Sequence, residues 1–317
     1  MTEPAVWVLA DPRAGTAAQA LGIAERLGVP FRTVPLAWGG LARWPIPWPS
    51  LAGLAAEVRP GIAAPWPRLT LSAGRRSAPI ARWLRRRGAR TVHCMRPGLG
   101  ADDFDLLVIG AHDRPPPAPN LMTILGACHR MSPGRLAVAR LEWSALAALP
   151  SPRIALLVGG PVRAEGMRPE MAAGIGRQVA GMAGSVMATT SRRTGTPATE
   201  ALSAALGERP HRLFRWGEGG ANPYAGFLAW ADAVVVTGDS VSMLSEALAT
   251  TAPVFIADPG GLGPRHRRLG ESLVGAGQAR VLGEGWFDRQ ALDESARIVA
   301  AICARGWGVT AAEDAAK

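Results

Sequence analysis

The chain has 317 residues, enough for two domains of about 150 residues each. Its 48% hydrophobic and 19% charged residues fit a globular protein and exclude a disordered one. The formal charge of +10 favours anionic partners such as nucleotides or phospholipid surfaces. Nucleic acid is not expected as a partner, because no helix-turn-helix spacing, zinc finger or RNA-binding aromatic motif is present.

The N-terminal "MTEPAVWVLADPRAG" lacks the regions of a signal peptide, and no run of about 18 apolar residues could span a bilayer. The expectation is a cytoplasmic protein, at most peripheral at the inner face of a membrane. Cys94, Cys128 and Cys303 have no metal-site spacing and are expected to be buried structural residues.

In chain order, "AVWVLA" reads as a buried strand, followed by a turn and a helix from Thr16 to Leu27 that Gly28 stops. "FRTVPLA" is a second strand. "WGGLARWPIPWPSLAGL" is apolar without a clean period, which suggests a loop with a short helix and an exposed docking surface. "RLTLSAG", "RTVHCM" and "FDLLVIGAHD" are strands, with a basic helix in "RSAPIARWLRRRG". Ser132 and Pro133 open a further helix.

After a break at Leu149–Arg153 the alternation restarts with "IALLVGG", "SVMATTSRRT", "HRLFRWG", "AVVVTGDS" and "PVFIAD" as strands. A C-terminal helix spans about Asp288 to Ala304. Apolar strands alternating with amphipathic helices predict an α/β protein with two doubly wound, Rossmann-like sheets. The expected domains are residues 1–148 and 149–317, with the last helix crossing back to the first domain.

Ligands of such sheets sit beyond the carboxyl ends of the strands, so the loops there carry the chemistry. Gly159 and Gly160 could let backbone approach a phosphate or could simply form a tight turn. Ser191, Arg192, Arg193 and Thr194 combine hydroxyls, guanidinium forks and a following helix, all suited to phosphate oxygens. Asp239, Ser240 and Ser242 precede or open a helix carrying Glu246, whose carboxylate could accept from ribose hydroxyls. On spacing alone Asp239 and Ser240 could equally be helix caps.

The blocks "GTAAQALGIAERLG", "SAGRRSAP", "FDLLVIGAHDR", "TSRRTGTP" and "NPYAGFLAWADAVVVTGDSVSMLSEAL" resemble the mitochondrial fission Elm-type family, found in plants and bacteria. That family is similar in architecture to GT-B glycosyltransferases, which implies two Rossmann-like domains facing a cleft, the second holding a nucleotide-sugar donor. The resemblance implies a donor ribose at Glu246 and a base-side region at Asn222 and Tyr224. It implies an acceptor-side loop set at Gly15, Thr16, Gln19, Arg75, Arg76 and Ser77.

For an acceptor base it offers Asp11, His112 and Asp113. No metal and no cofactor beyond a nucleoside-diphosphate sugar substrate are expected. The leading expectation is a metal-independent glycosyltransferase acting on a lipid-linked or cell-envelope acceptor, near an anionic membrane. The alternative is a non-catalytic scaffold that recruits a protein partner. A nucleotide-sugar epimerase is disfavoured because the dinucleotide fingerprint and a Tyr-x-x-x-Lys pair are absent.

Overall fold

The structure is a computed structural model that describes residues 4–160 and 166–309. It contains two compact units, the first made of residues up to Arg130 together with those from Asp293 onward, the second of Met131–Leu292.

The first unit holds strands β1 (Val6–Ala10), β2 (Phe31–Pro35), β3 (Leu69–Ala73), β4 (Arg90–Cys94), β5 (Leu106–Gly110) and β6 (Leu121–Ile124). They form one parallel sheet ordered β2-β1-β3-β4-β5-β6. Both faces are covered, which is why β3 and β5 are buried along their whole length. One face packs Val8, Leu71, Val92 and Leu106 against helix α1 (Ala14–Leu27) and the C-terminal helix α9 (Glu294–Cys303). The other packs Trp7, Leu9 and Leu107 on α2 (Ala78–Arg85) and on Leu54. Helix α1 ends at Gly28 in the left-handed conformation, φ 71°, as its position after the last periodic residue predicts.

Helix α9 is tied to this unit by Arg26 to Asp293 at 2.6 Å and by the Leu125 N–H donating to Glu294 at 2.7 Å. It is shorter than the sequence pattern suggests, because Asp293 caps it by accepting from the Ala296 N–H. Cys94 and Cys128 lie in this core, but Cys303 is exposed, against expectation.

The second unit holds β7 (Arg153–Val158), β8 (Ser185–Thr190), β9 (His211–Phe214), β10 (Ala233–Thr237), β11 (Val254–Ala257) and β12 (Arg280–Val281). Its parallel sheet runs β12-β11-β10-β7-β8-β9, so the chain works outward from β7, then returns to β10 and works outward on the other side. The reversal between β7 and β10 is the topological switch point of a doubly wound sheet, where ligands of such folds bind. The α/β class with two Rossmann-like sheets is therefore what the structure has.

Helices α3 (Pro133–Glu142), α4 (Pro169–Met182), α5 (Thr196–Leu206), α6 (Tyr224–Trp230), α7 (Val241–Ala247) and α8 (Pro264–Gly275) complete the unit. Ser132 caps α3 as expected, accepting from the Arg135 N–H at 3.1 Å. The division between units precedes α3, not the Leu149–Arg153 break. The cause is packing: Arg140 donates to the Ala229 carbonyl at 2.7 Å, Trp230 donates to the Arg140 carbonyl at 3.0 Å, and a Cβ on Gly226 would lie 2.4 Å from the Trp143 ring.

Helix α8 and strand β12 were not legible in the sequence. In α8 the buried residues are only Leu269 and Leu273, one turn apart amid charged side chains. Among the described residues no helix is long and apolar enough to cross a membrane.

Candidate functional site

The switch point of the second sheet gathers the loops after β7, β8 and β10. Asp239 organises them. Its Oδ2 accepts from the Gly160 N–H at 2.7 Å and lies 3.4 Å from the Arg193 guanidinium, while Oδ1 is buried with no hydrogen-bond partner. Asp239 therefore does not cap α7. Ser240 does, with its hydroxyl accepting from the Met243 N–H at 3.4 Å.

Both glycines after β7 are required by close approach. A Cβ on Gly159 would meet the Asp239 carboxylate at 2.5 Å, and one on Gly160 would meet the Arg193 carbonyl oxygen at 2.2 Å. The Gly159 N–H donates to the Thr237 hydroxyl at 2.8 Å. The rest of the "GGPVR" turn lies outside the described residues.

In the loop after β8, Thr194 is fully buried. Its hydroxyl donates to the Val158 carbonyl at 3.0 Å and accepts from the Ser191 N–H at 2.9 Å, so it fastens the loop and has no donor left for a ligand. Ser191 accepts from the Arg193 N–H at 3.2 Å and is half-buried. Arg192 is exposed. Gly195 offers α5 no side-chain cap, so the helix begins with unspent N–H groups beside Arg192. A concavity of about 260 Å³ opens there, lined by Ser191, Arg192, Thr196, Arg215 and the exposed indole of Trp216. Sequence reasoning missed Arg215 and Trp216 because it placed them inside the strand "HRLFRWG", whereas β9 ends at Phe214 and leaves them in the loop beyond it.

Glu246 is half-buried on α7, and the Tyr224 hydroxyl donates to its Oε2 at 2.6 Å. Burial pushes the Glu246 carboxyl above the usual range, against the opposing pull of the Tyr224 hydroxyl and the Arg135 charge. The Tyr224 phenol is pushed well above its ordinary value, by burial first and then by the Glu246 charge. Asn222 is exposed, and its side-chain carbonyl accepts from the Tyr224 N–H at 3.0 Å, setting the start of α6. Ser242 is half-buried in the first turn of α7. At the far end of α7 the buried guanidinium of Arg289 donates to the carbonyls of Leu248 at 3.2 Å and Thr250 at 2.7 Å, fixing the helix that carries Glu246.

His266, in the first turn of α8, is a second residue that the sequence reading passed over. Burial and the Arg265 charge lower its pKa, the Asp239 carboxylate raises it, and Arg193 lowers it further. The available signal was "GPRH", a Gly-Pro helix start beyond a strand.

The remaining candidates lie in the first unit. Asp11 is buried after β1, its Oδ1 accepting from the Arg13 N–H at 2.8 Å. His112 is 2% exposed, its Nε2 3.8 Å from Asp113, and a Cβ on Gly110 would fall 2.2 Å from the imidazole. Gly15 is exposed, while Thr16 and Gln19 are half-buried on α1. Gly74, φ 82°, brings the turn after β3 against Thr16, to which its Cβ would approach within 3.1 Å. Arg75 is exposed and Arg76 half-buried, whereas the Ser77 hydroxyl is used internally, donating to the Ala73 carbonyl at 2.7 Å. Among the described residues no cluster of three His, Cys, Asp or Glu side chains could hold a metal.

Residues 14–306 match the model of a family described as Mitochondrial fission ELM1. A relative named mitochondrial fission protein ELM1, from Arabidopsis thaliana, is 27% identical over 281 residues, covering 77% of this chain and 66% of the relative. An uncharacterized Rickettsia prowazekii protein is 28% identical over 116 residues, 34% of this chain and 32% of its own length. The match thus spans about two thirds or less of these relatives.

Among solved structures, a Methanocaldococcus jannaschii UDP-GlcNAc 2-epimerase in complex with UDP-GlcNAc and UDP superposes with a TM-score of 0.52 at 12% identity, covering 94% of this chain and 99% of that one. Arabidopsis thaliana UGT89C1 complexed with UDP gives 0.51 at 13% identity, covering 94% and 90%. These likenesses show the GT-B-like fold alone. Because an epimerase shares it, the missing dinucleotide fingerprint does not separate epimerase from transferase here. By the match over most of its length, the chain belongs to the mitochondrial fission ELM1 family.

Proposed function

We propose that the second unit binds a nucleoside diphosphate, as part of a nucleotide sugar, at the carboxyl edge of its sheet. The observation that carries this reading is the convergence of the Gly160 N–H and the Arg193 guanidinium on the buried Asp239 carboxylate at the β7/β10 switch point. Phosphate oxygens lie against the Ser191–Arg193 loop and His266, where guanidiniums and a neutral imidazole supply donors without a metal. Glu246 accepts the ribose hydroxyls, and Asn222 and Tyr224 stand on the base side. Solved structures of this fold in complex with UDP or UDP-GlcNAc support the ligand class.

The proposal extends to sugar transfer. An acceptor hydroxyl oxygen bonds the anomeric carbon, the bond from that carbon to the diphosphate oxygen breaks, and the nucleoside diphosphate departs with the electron pair. The acceptor proton passes to a general base. A second reading is a scaffold that keeps the nucleotide site or its remnant and recruits a protein partner. The Glu246–Tyr224 bond, which engages one oxygen of the proposed ribose acceptor, and the name of the 27%-identical relative favour it.

A thermal-shift series with UDP, GDP, ADP, CDP and UDP-GlcNAc, chelator present, tests the binding step. A ligand specific to the native state raises the melting temperature by mass action, with about 2.7 kcal/mol gained at a hundredfold excess over Kd. No shift with any of them at millimolar concentration contradicts the proposal.

A further inference from the structure

The loop between β2 and β3 is built firmly yet turned outward. An antiparallel bridge from Trp38 to Leu54 closes its base, with the Gly39 N–H donating to the Gly53 carbonyl at 3.0 Å. The Ser50 N–H donates to the Pro79 carbonyl at 3.1 Å, and Arg82 donates to the Pro47 carbonyl at 3.0 Å. Ala42 and Leu54 point inward and are buried. Held on this frame, Leu41 is 58% exposed, Trp44 73% and Trp48 61%. Leu99, from the turn after β4, is 49% exposed and lines a small hollow with Trp44, Arg75 and Arg76.

Large apolar side chains fixed in water need an explanation when they cluster. Between Leu36 and Leu54 the only charged residue is Arg43, and the segments 74–79 and 95–99 add Arg75, Arg76 and Arg96; of the two carboxylates that follow Leu99, Asp102 and Asp103, the second pairs with Arg82. Among the described residues, no carboxylate pairs with Arg43, Arg75 or Arg76 through any salt bridge. The Arg75 stem instead lies along Gly98, whose Cβ would fall 3.1 Å from its Cγ.

We infer that this face of the first unit docks on an anionic phospholipid surface. The hollow of about 30 Å³ is too small for a metabolite, and the apolar groups stand out as prongs, so a deformable occupant suits them better than a flat protein partner. Tryptophan favours the boundary between headgroups and acyl chains, with arginine beside it at the phosphates. The inference is independent of the nucleotide site, which uses residues of the second unit only.

Flotation of the full chain tests it, using phosphatidylcholine vesicles with and without roughly a third phosphatidylglycerol. The wild-type chain is expected to float with the anionic vesicles, and at least about tenfold less with the neutral ones. Trp44→Ser with Trp48→Ser should lower binding about tenfold or more while leaving the melting temperature and the nucleotide response unchanged. Arg43→Gln and Arg75→Gln should each lower it about fivefold and flatten its salt dependence. Failure of the wild type to float overturns the inference, as does flotation of the double Trp variant like wild type. So does conversion of a dimer to a monomer by that variant without vesicle binding, which assigns the face to a second copy.

Discussion

The Tyr224 hydroxyl donates a 2.6 Å hydrogen bond to Glu246 Oε2, joining α6 to α7 at the edge of the second sheet. A ribose that uses Glu246 must share or displace this bond. Glu246→Gln keeps side-chain size but loses the charge, so nucleotide affinity should fall by roughly 1–3 kcal/mol, about tenfold to somewhat over a hundredfold. Calorimetry with the preferred nucleotide reads it out.

Because burial raises the Glu246 pKa, the folded state holds this proton more tightly than the unfolded chain. Its contribution is fully present below the unfolded value near 4.5 and is lost as pH rises through the higher folded value. Urea unfolding of wild type and Glu246→Gln should therefore show the variant gaining relative stability as pH climbs through that window. Nucleotide affinity should move the other way, rising as the carboxylate ionises.

His266 gives a second pH signature of opposite sign for the ligand. Its lowered pKa leaves the imidazole neutral at pH 7. A diphosphate placed beside it would raise that pKa, so binding takes up a proton and affinity increases as pH falls. Calorimetry in buffers of different ionisation enthalpy measures the uptake directly. His266→Asn should abolish it, and an unchanged uptake in that variant would place the ligand elsewhere.

Two glycine substitutions separate close packing from mere flexibility. Gly160→Ala forces a Cβ to within 2.2 Å of the Arg193 carbonyl oxygen, and should cost about 2 kcal/mol or more of stability and weaken nucleotide binding. Gly174→Ala lies inside α4 with open space around its Cβ, and should stabilise by about 0.5–1 kcal/mol without touching the ligand. Chemical denaturation of the two variants checks both.

The fold was legible because the strands are short apolar runs buried on two faces and the helices carry one apolar face. Strand endings therefore located the candidate loops, with Arg193 in the loop after β8 and Ser240 and Glu246 at the start of α7 and on it. What spacing could not show was how polar groups divide their bonds. Spacing left Asp239 open between helix cap and nucleotide contact, and its carboxylate turns to Gly160 and Arg193; Thr194, one of four residues offered to phosphate, fastens the loop beneath it. The charge of Arg135 on α3 pulls the Glu246 pKa down and that of Asp239 pulls the His266 pKa up, influences between elements distant in sequence. No local pattern encodes them.

Metal-independent binding of a nucleoside diphosphate by the second unit is tested by isothermal titration of the full chain with UDP, GDP, ADP and CDP, chelator throughout. At least one of them should bind saturably and one-to-one, with a dissociation constant of about a millimolar or tighter, weakened by Glu246→Gln. Absence of binding by all four, or equal affinity of wild type and Glu246→Gln, would contradict it.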